Sequence, residues 1–273
     1  SQLGTLANFI AYACMGIPAG IILKRKGYKF TSRAAVIVGL VGVAIQFLSG
    51  YIGSFAVYVT GAFVAGFSMC MLNIVVNPML NTLGGGGNKG NQLIQLGGSL
   101  NSLAATIVPV FVGYLMGDVA SARISDANPA LFIAMAIFAL AFVIIFFSAI
   151  PEPELEAAKA APAKESEGVV ASVKGALSHN NLLFGIIAIF VYVGVEVGIP
   201  NIANLYMTSG AEHGGLGIAT GTAGTIVGLY WLLMLCGRLV GGALGGKISS
   251  KHMMTGVSSV AILLVILGIF IPE

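Results

Sequence analysis

Residues 130–150 read ALFIAMAIFALAFVIIFFSAI. No charge or amide interrupts the run, and about 20 apolar residues are what a helix needs to cross the hydrocarbon of a bilayer. A helix apolar on every face has no side to turn toward water. At Pro151 the chemistry changes at once, to Pro151-Glu152-Pro153-Glu154-Leu155-Glu156. Seven similar runs lie to either side, at 3–23, 34–52, 55–82, 93–117, 181–207, 218–246 and 253–271. Eight spans in 273 residues leave little chain for anything else. The fold class this predicts is an all-α integral membrane protein.

Composition supports that reading. Only 8% of residues are charged and 57% are hydrophobic, whereas soluble domains carry about 25% charged residues. Lipid must be the solvent. The 38 glycines are spread through the apolar runs, where small residues let helix backbones approach. Cys14, Cys70 and Cys236 lie inside those runs without zinc or disulfide spacing, and read as small packing residues.

The net charge of +3 does not point to nucleic acid, because the basic residues sit in short loops. With the first span ending in the cytoplasm, eleven of them fall on that side: Lys24, Arg25, Lys26, Lys29, Arg33, Lys89, Lys159, Lys164, Lys174, Lys247 and Lys251. The other side holds only Arg123, and Arg238 lies in or near the membrane. That asymmetry is the positive-inside pattern. It predicts a multi-pass orientation with the linker in the cytoplasm, and, with the function expected below, the membrane is the inner (plasma) one.

The linker is 151–180, rich in Pro, Ala, Glu and Lys, expected as part flexible chain and part short surface helix. It divides an N-terminal bundle of five spans, 1–150, from the start of a C-terminal bundle of three, 181–273. A repeat supports the division: Gly16-Ile-Pro-Ala-Gly20 runs into Leu23-Lys24 and a basic loop, as Gly237-Arg238-Leu-Val-Gly241 runs into Gly245-Gly246-Lys247. Small-x-x-x-small patterns are also common in any membrane helix. The chain is apolar almost from Ser1 and stops at Glu273 just after an apolar run, so it is expected to be a fragment of a longer protein.

Polar residues inside the spans carry the functional reading. Glu196, in Tyr192-Val-Gly-Val-Glu196-Val-Gly-Ile-Pro200-Asn201, stands near the middle of an apolar run. A charge there costs about 2.5–3.5 kcal/mol on insertion scales. It persists only by facing a cavity, finding a partner or carrying a proton, which makes Glu196 a candidate proton carrier; a structural hydrogen bond to a neighbouring helix is the alternative. Pro200 removes a backbone donor and frees a carbonyl one turn earlier. Asn201 and Asn204 follow it, as in a mid-membrane polar site or in a simple kink.

Asn73, Asn77 and Asn81, spaced by four, share one helix face. Gln92, Gln95, Ser99, Asn101 and Ser102 form a second cluster. Singly such groups glue helices together; as an ensemble on three helices they suit a neutral polyol or sugar. Arg238 either snorkels to the cytoplasmic face or pairs inside, in a structural or gating role.

Other signals lead nowhere. Gly85-x-Gly87-x-x-Gly90 follows a membrane helix rather than a strand and reads as a loop. Lys89 is followed by Gly90, so no Walker motif exists. His179, His213 and His252 stand singly, without metal spacing. No nucleophile is set beside a base, so neither an enzyme, a metal nor a cofactor is expected.

On Asn77-Pro78, Asn101-Ser102-Leu-Ala, Tyr192-Val-Gly-Val-Glu196-Val, Leu23-Lys24-x-x-Gly27-Tyr28-Lys29 and Gly237-Arg238, the chain resembles the fucose/glucose/galactose-type sugar:proton symporters of the major facilitator superfamily. The resemblance runs through essentially the whole chain. It implies a two-bundle architecture of twelve helices, of which helices two to nine are present, and a monomer as the working unit. Family members can carry an acid four residues before the Asn-Pro pair, where Asn73 stands here. The L-fucose carrier has Gln three residues before the position of Asn101, where Gly98 stands here. Asn101 and Glu196 fit the glucose/galactose-type members.

The function expected is secondary active transport of a neutral monosaccharide, a hexose or fucose, by alternating access with proton symport. Asn73, Asn77, Gln95, Asn101, Tyr192, Glu196, Asn201 and Asn204 would line the substrate site, with Glu196 coupling the proton. Gly16, Gly20, Lys24, Gly237, Arg238 and Gly241 would serve as gate and frame. The partners are sugar, proton and lipid bilayer. The rival reading is a non-transporting membrane sugar sensor of the same fold.

Overall fold

The computed structural model describes residues 3–116, 124–152, 155–156 and 169–270. Arg123, Lys159 and Lys164, used above for topology, lie outside the described residues, as do residues 157–168 of the linker. Among the described residues all regular structure is helical. The helices are α1 (Leu3–Ile52), α2 (Phe55–Leu83), α3 (Gly87–Met116), α4 (Asn128–Phe147), α5 (Val169–Leu177), α6 (Asn180–Thr208), α7 (Thr220–Gly245) and α8 (Ser250–Phe270), with short 3-10 turns at Ile124–Ala127 and Ala211–His213.

Among the described residues, six helices are long and apolar enough to cross a membrane. They account for seven of the eight apolar runs, because α1 holds two. At Gly27 the backbone leaves helical geometry, with φ 80° and ψ −179°, a region essentially confined to glycine. Ala19 and Ala35 then share one buried cluster with Met71. On an unbroken helix those alanines would stand about 24 Å apart, so the chain turns back on itself at Gly27. The basic segment 24–33, expected as a loop, is helical on both sides of that residue. The eighth run lies on α3, whose 30 residues are ample for a span. It starts at Gly87 rather than at 93, because Gly85, Gly86 and Gly87, all at positive φ, turn the chain tightly enough for Gly90 N–H to bond Gly86 O at 3.1 Å.

Glu152 holds the turn at Gly27. Its Oε2 accepts from the Tyr28 N–H at 2.6 Å and its Oε1 from the Lys29 N–H at 2.7 Å. These are first-turn donors of the second arm of α1, which lack a helical partner, and a carboxylate is the favoured anion at a helix N-terminus. Lys29 Nζ donates to Ser148 O at 2.6 Å, and Arg33 Nη2 to Phe146 O at 2.9 Å. Arg33 also lies over the Phe146 ring, 4.6 Å from its centre. The C-terminal end of α4 is thereby tied to the basic segment, and Tyr28 is left only 2% exposed.

Glycine sets how closely the helices pack. A Cβ at Gly42 would come within 2.6 Å of Ala65 N, and one at Gly61 within 2.7 Å of Gln46 N. The second arm of α1 and α2 therefore meet backbone to backbone, the close approach that replaces the hydrophobic drive in lipid. On α4, α6 and α8 the large apolar residues point outward, with Phe147, Phe190 and Phe270 more than three-quarters exposed.

Contacts divide the chain into two units, Ser1–Lys159 with Gly237–Glu273, and Ala160–Cys236. In the first, α1, α2, α3 and α4 pack together; in the second, the nine-residue α5 leads into α6.

Glu152→Ala removes two charge-assisted hydrogen bonds, worth about 1.5–3 kcal/mol each where well formed. It should lower the thermal unfolding midpoint in detergent, with Glu152→Gln intermediate because it keeps acceptor capacity at one atom. Gly27→Ala should cost about 1–3 kcal/mol from backbone strain. Unchanged midpoints for both variants would show that the turn is held by other means.

Candidate functional site

The second unit carries the polar group of α6. Helices bond each N–H to the carbonyl four residues earlier, so Pro200 leaves the Glu196 carbonyl without its helical donor. The Tyr230 hydroxyl, on α7, donates to Glu196 O at 3.1 Å. Beside it, Asn201 Nδ2 donates to Val197 O at 2.8 Å. Pro200 is buried and Glu196 is half-buried, while Tyr192, Asn201 and Asn204 are exposed. Tyr192 and Glu196 both lie near Tyr230, whose ring meets Trp231 edge to face at 5.4 Å. The site of α6 is thus a carboxylic acid one turn before a proline, supported by aromatic groups. Glu196 is the only acidic residue within α1 to α8.

The first unit carries the amides of α2 and α3. Asn73 and Asn77 are exposed on α2. Asn73 Nδ2 donates to Met69 O at 3.1 Å, and its side chain is within hydrogen-bonding reach of Tyr12 on α1. Asn8, one turn before Tyr12, sends its Nδ2 to Met69 Sδ at 3.7 Å, while its Oδ1 is enclosed without a hydrogen-bond partner. The sequence reading passed over Asn8 and Tyr12. Their signal was the one that drew attention to Glu196, polar side chains in an apolar run, here at i and i+4.

On α3, Asn101 is exposed and Gln95 half-buried. Ser99 and Ser102, taken with them as polyol ligands, are buried, and Ser99 Oγ donates to Gln95 O of its own helix at 2.9 Å. For Ser99 the hydroxyl serves its own helix, a common fate of serine in apolar surroundings.

The residues expected as gate and frame separate into two places. Gly20 and Lys24 line a cavity of about 400 Å³ with Gly27, Tyr28 and Glu152. Arg238 is held inside, its Nη1 donating to Gly98 O at 3.1 Å. A Cβ at Gly98 would lie 2.6 Å from that nitrogen, so the guanidinium occupies space that any longer residue at 98 would fill. Around it the last turns of α7 present backbone to α3: a Cβ at Gly241 would meet Gln95 Nε2 at 3.6 Å, and one at Gly242 would meet Gln95 Cβ at 3.7 Å. Asn91 Nδ2 donates to Ser250 Oγ at 2.7 Å. Gly16, Gly20 and Gly237 have open space where a Cβ would stand, so among the described residues Gly241 alone of these four brings helices together.

Stacked membrane helices closed by small residues, with a lone embedded acid, are the features of a membrane transporter fold, and the chain belongs to the Major Facilitator Superfamily, whose model matches residues 1–273. Among curated proteins it is similar to the glucose/galactose transporter of Brucella abortus, 27% identical over 98% of this chain and 64% of that one. It is similar also to the putative glucose/galactose transporter of Helicobacter pylori, 26% identical over 96% of this chain and 63% of that one. The L-fucose-proton symporter of Escherichia coli matches 38% of this chain and 24% of its own length at 29% identity. This chain spans less than two thirds of the length of the two glucose/galactose relatives. Among solved structures, FucP in the outward conformation shares the fold with TM-score 0.81 at 20% identity, over 98% of this chain and 68% of that one.

The contact between α3 and the start of α8 can be read directly. In a protein with Cys14, Cys70 and Cys236 replaced by alanine, cysteines at Asn91 and Ser250 should be joined efficiently by a short bis-thiosulfonate crosslinker. A pair that remains unlinked would contradict the contact.

Proposed function

We propose that the protein containing this chain is a secondary active transporter of a neutral monosaccharide, a hexose such as glucose or galactose or the deoxyhexose fucose, working by alternating access with proton symport. The observation that carries the proton half is Glu196, the only acid within α1 to α8, placed one turn before a proline in a helix whose window is otherwise apolar. A symported proton needs a group that takes it up on one side and gives it back on the other, and a carboxyl in a membrane helix is suited to that exchange. Asn73 stands where family members can have an acid, and Glu196 is the acid that the described helices offer for the coupling role.

The sugar half rests on the amides of α2 and α3 and the polar groups of α6. Sugar hydroxyls both donate and accept, and Asn73, Asn77, Gln95, Asn101, Asn201 and Asn204 do the same, with Tyr192 offering a ring face. The relatives named for glucose, galactose and fucose support this class of substrate. Gly16, Gly20, Lys24, Gly237, Arg238 and Gly241 frame the gates, and Arg238 at Gly98 is the gate with the clearest geometry. The protein sits as a monomer in the plasma (inner) membrane, with residues 151–180 in the cytoplasm between bundle 1–150 and bundle 181–273, as the positive-inside distribution supports. It is not an enzyme.

Cells expressing the full-length protein should accumulate radiolabelled hexose above the external concentration, and a protonophore should collapse the gradient. Glu196→Gln should still bring internal and external sugar to equality but not beyond. Accumulation by the mutant equal to wild type would remove Glu196 from the coupling, and sugar binding without any uptake would favour a sensor.

A further inference from the structure

Tyr230 was not singled out by its sequence, yet its hydroxyl meets the one backbone carbonyl of α6 that Pro200 deprives of a donor. The geometry is specific. Residue 200 is the position whose N–H would bond Glu196 O, proline has no N–H, and the Tyr230 hydroxyl donates to that oxygen at 3.1 Å. An unmet carbonyl in a water-poor interior is costly, and a side chain on a neighbouring helix is a recognised substitute in membrane proteins. The carbonyl belongs to Glu196 itself, so whatever fixes it also fixes the Cα from which the carboxyl projects.

We propose that Tyr230 is a positioning residue for Glu196: its hydroxyl stands in for the backbone N–H that Pro200 lacks and fixes the turn of α6 that carries the acid. The proposal rests on the reading of Glu196 as the proton carrier. Asn201 secures the next carbonyl from within α6, so this turn is bonded by side chains on two helices. The Trp231 ring, edge-on to Tyr230, limits the directions the phenol can take. A proline at position 200 thus makes the placement of the acid depend on α7, where any other residue would leave it to α6 alone.

The test is a cycle in the full-length protein, made of Tyr230→Phe, Pro200→Ala and the pair, with initial rates of proton-driven sugar uptake measured beside sugar counterflow. Counterflow exchanges sugar for sugar without net proton movement, so general damage lowers both rates and loss of positioning lowers the first. Tyr230→Phe alone should reduce proton-driven uptake roughly three- to tenfold, the scale of one hydrogen bond, and leave counterflow within about twofold. In the Pro200→Ala background the restored N–H serves the carbonyl, and Tyr230→Phe should then change uptake by less than about twofold. An equal loss in both backgrounds, or no loss in either, would overturn the proposal. If Pro200→Ala does not reach the membrane, Pro200→Ser restores the same N–H and takes its place. Glu196→Gln run in parallel separates the two claims. Should it accumulate sugar normally while the Tyr230 effect still vanishes without Pro200, the proton reading fails and the positioning contact stands.

Discussion

A helix inside hydrocarbon has no water to finish its hydrogen bonds, so each backbone N–H and C=O must find its partner within the protein. Long regular helices meet this demand by themselves, and departures from regularity need help from elsewhere. Two departures stand out here. At Gly27 the chain reverses, and Glu152 accepts from the N–H groups of Tyr28 and Lys29. At Pro200 a donor is missing, and Tyr230 supplies one. The first interruption faces the basic segment of the chain and fixes how α4 meets α1. The second lies beside the embedded acid. Hydroxyl side chains obey the same demand: Thr31, Thr60, Thr106 and Thr255 each donate to the carbonyl four residues earlier, so each hydroxyl has an acceptor within its own helix.

Between these points, packing is governed by how close backbones can come. Gly42, Gly61 and Gly66 leave no room for a Cβ, which locks the two arms of α1 to α2 as a stiff body. Gly241 and Gly242 allow α7 to approach Gln95, and Gly98 admits the Arg238 guanidinium. The two settings differ in kind. The first is apolar and continuous along the helices, suited to a body that moves as a unit. The second is short and polar, made of single hydrogen bonds that can be exchanged for water, as a gate requires. The alternating access proposed above would draw on both.

The membrane class and the eight apolar runs were legible in the sequence, and Glu196 stood out there, because each is a property of a residue in its own segment. An apolar run of 20 residues, or an acid within one, declares itself without knowledge of neighbours. Glu152 did not, since its charge looked at home in a polar linker and its work is done 124 residues away on the Tyr28 N–H. Tyr230 and the Gly98–Arg238 pair are likewise tertiary facts: a tyrosine in a membrane helix is ordinary until its hydroxyl is seen on an orphaned carbonyl. The basic loop shrank to one glycine because helix geometry tolerates lysine and arginine well, and only Gly27 needed to break it. Ser99 belonged in sequence to a polar cluster open to either a helix-bonding or a sugar-binding reading, and its hydroxyl bonds its own helix.

The central claim is that sugar and proton cross together. The most direct measurement is the external pH of a weakly buffered, de-energised suspension of cells expressing the full-length protein, recorded as galactose or glucose is added. Symport predicts a prompt alkalinisation as protons follow the sugar inward, absent in cells lacking the protein and abolished by a protonophore. Sugar entry measured in the same suspension with no change in pH would contradict the account.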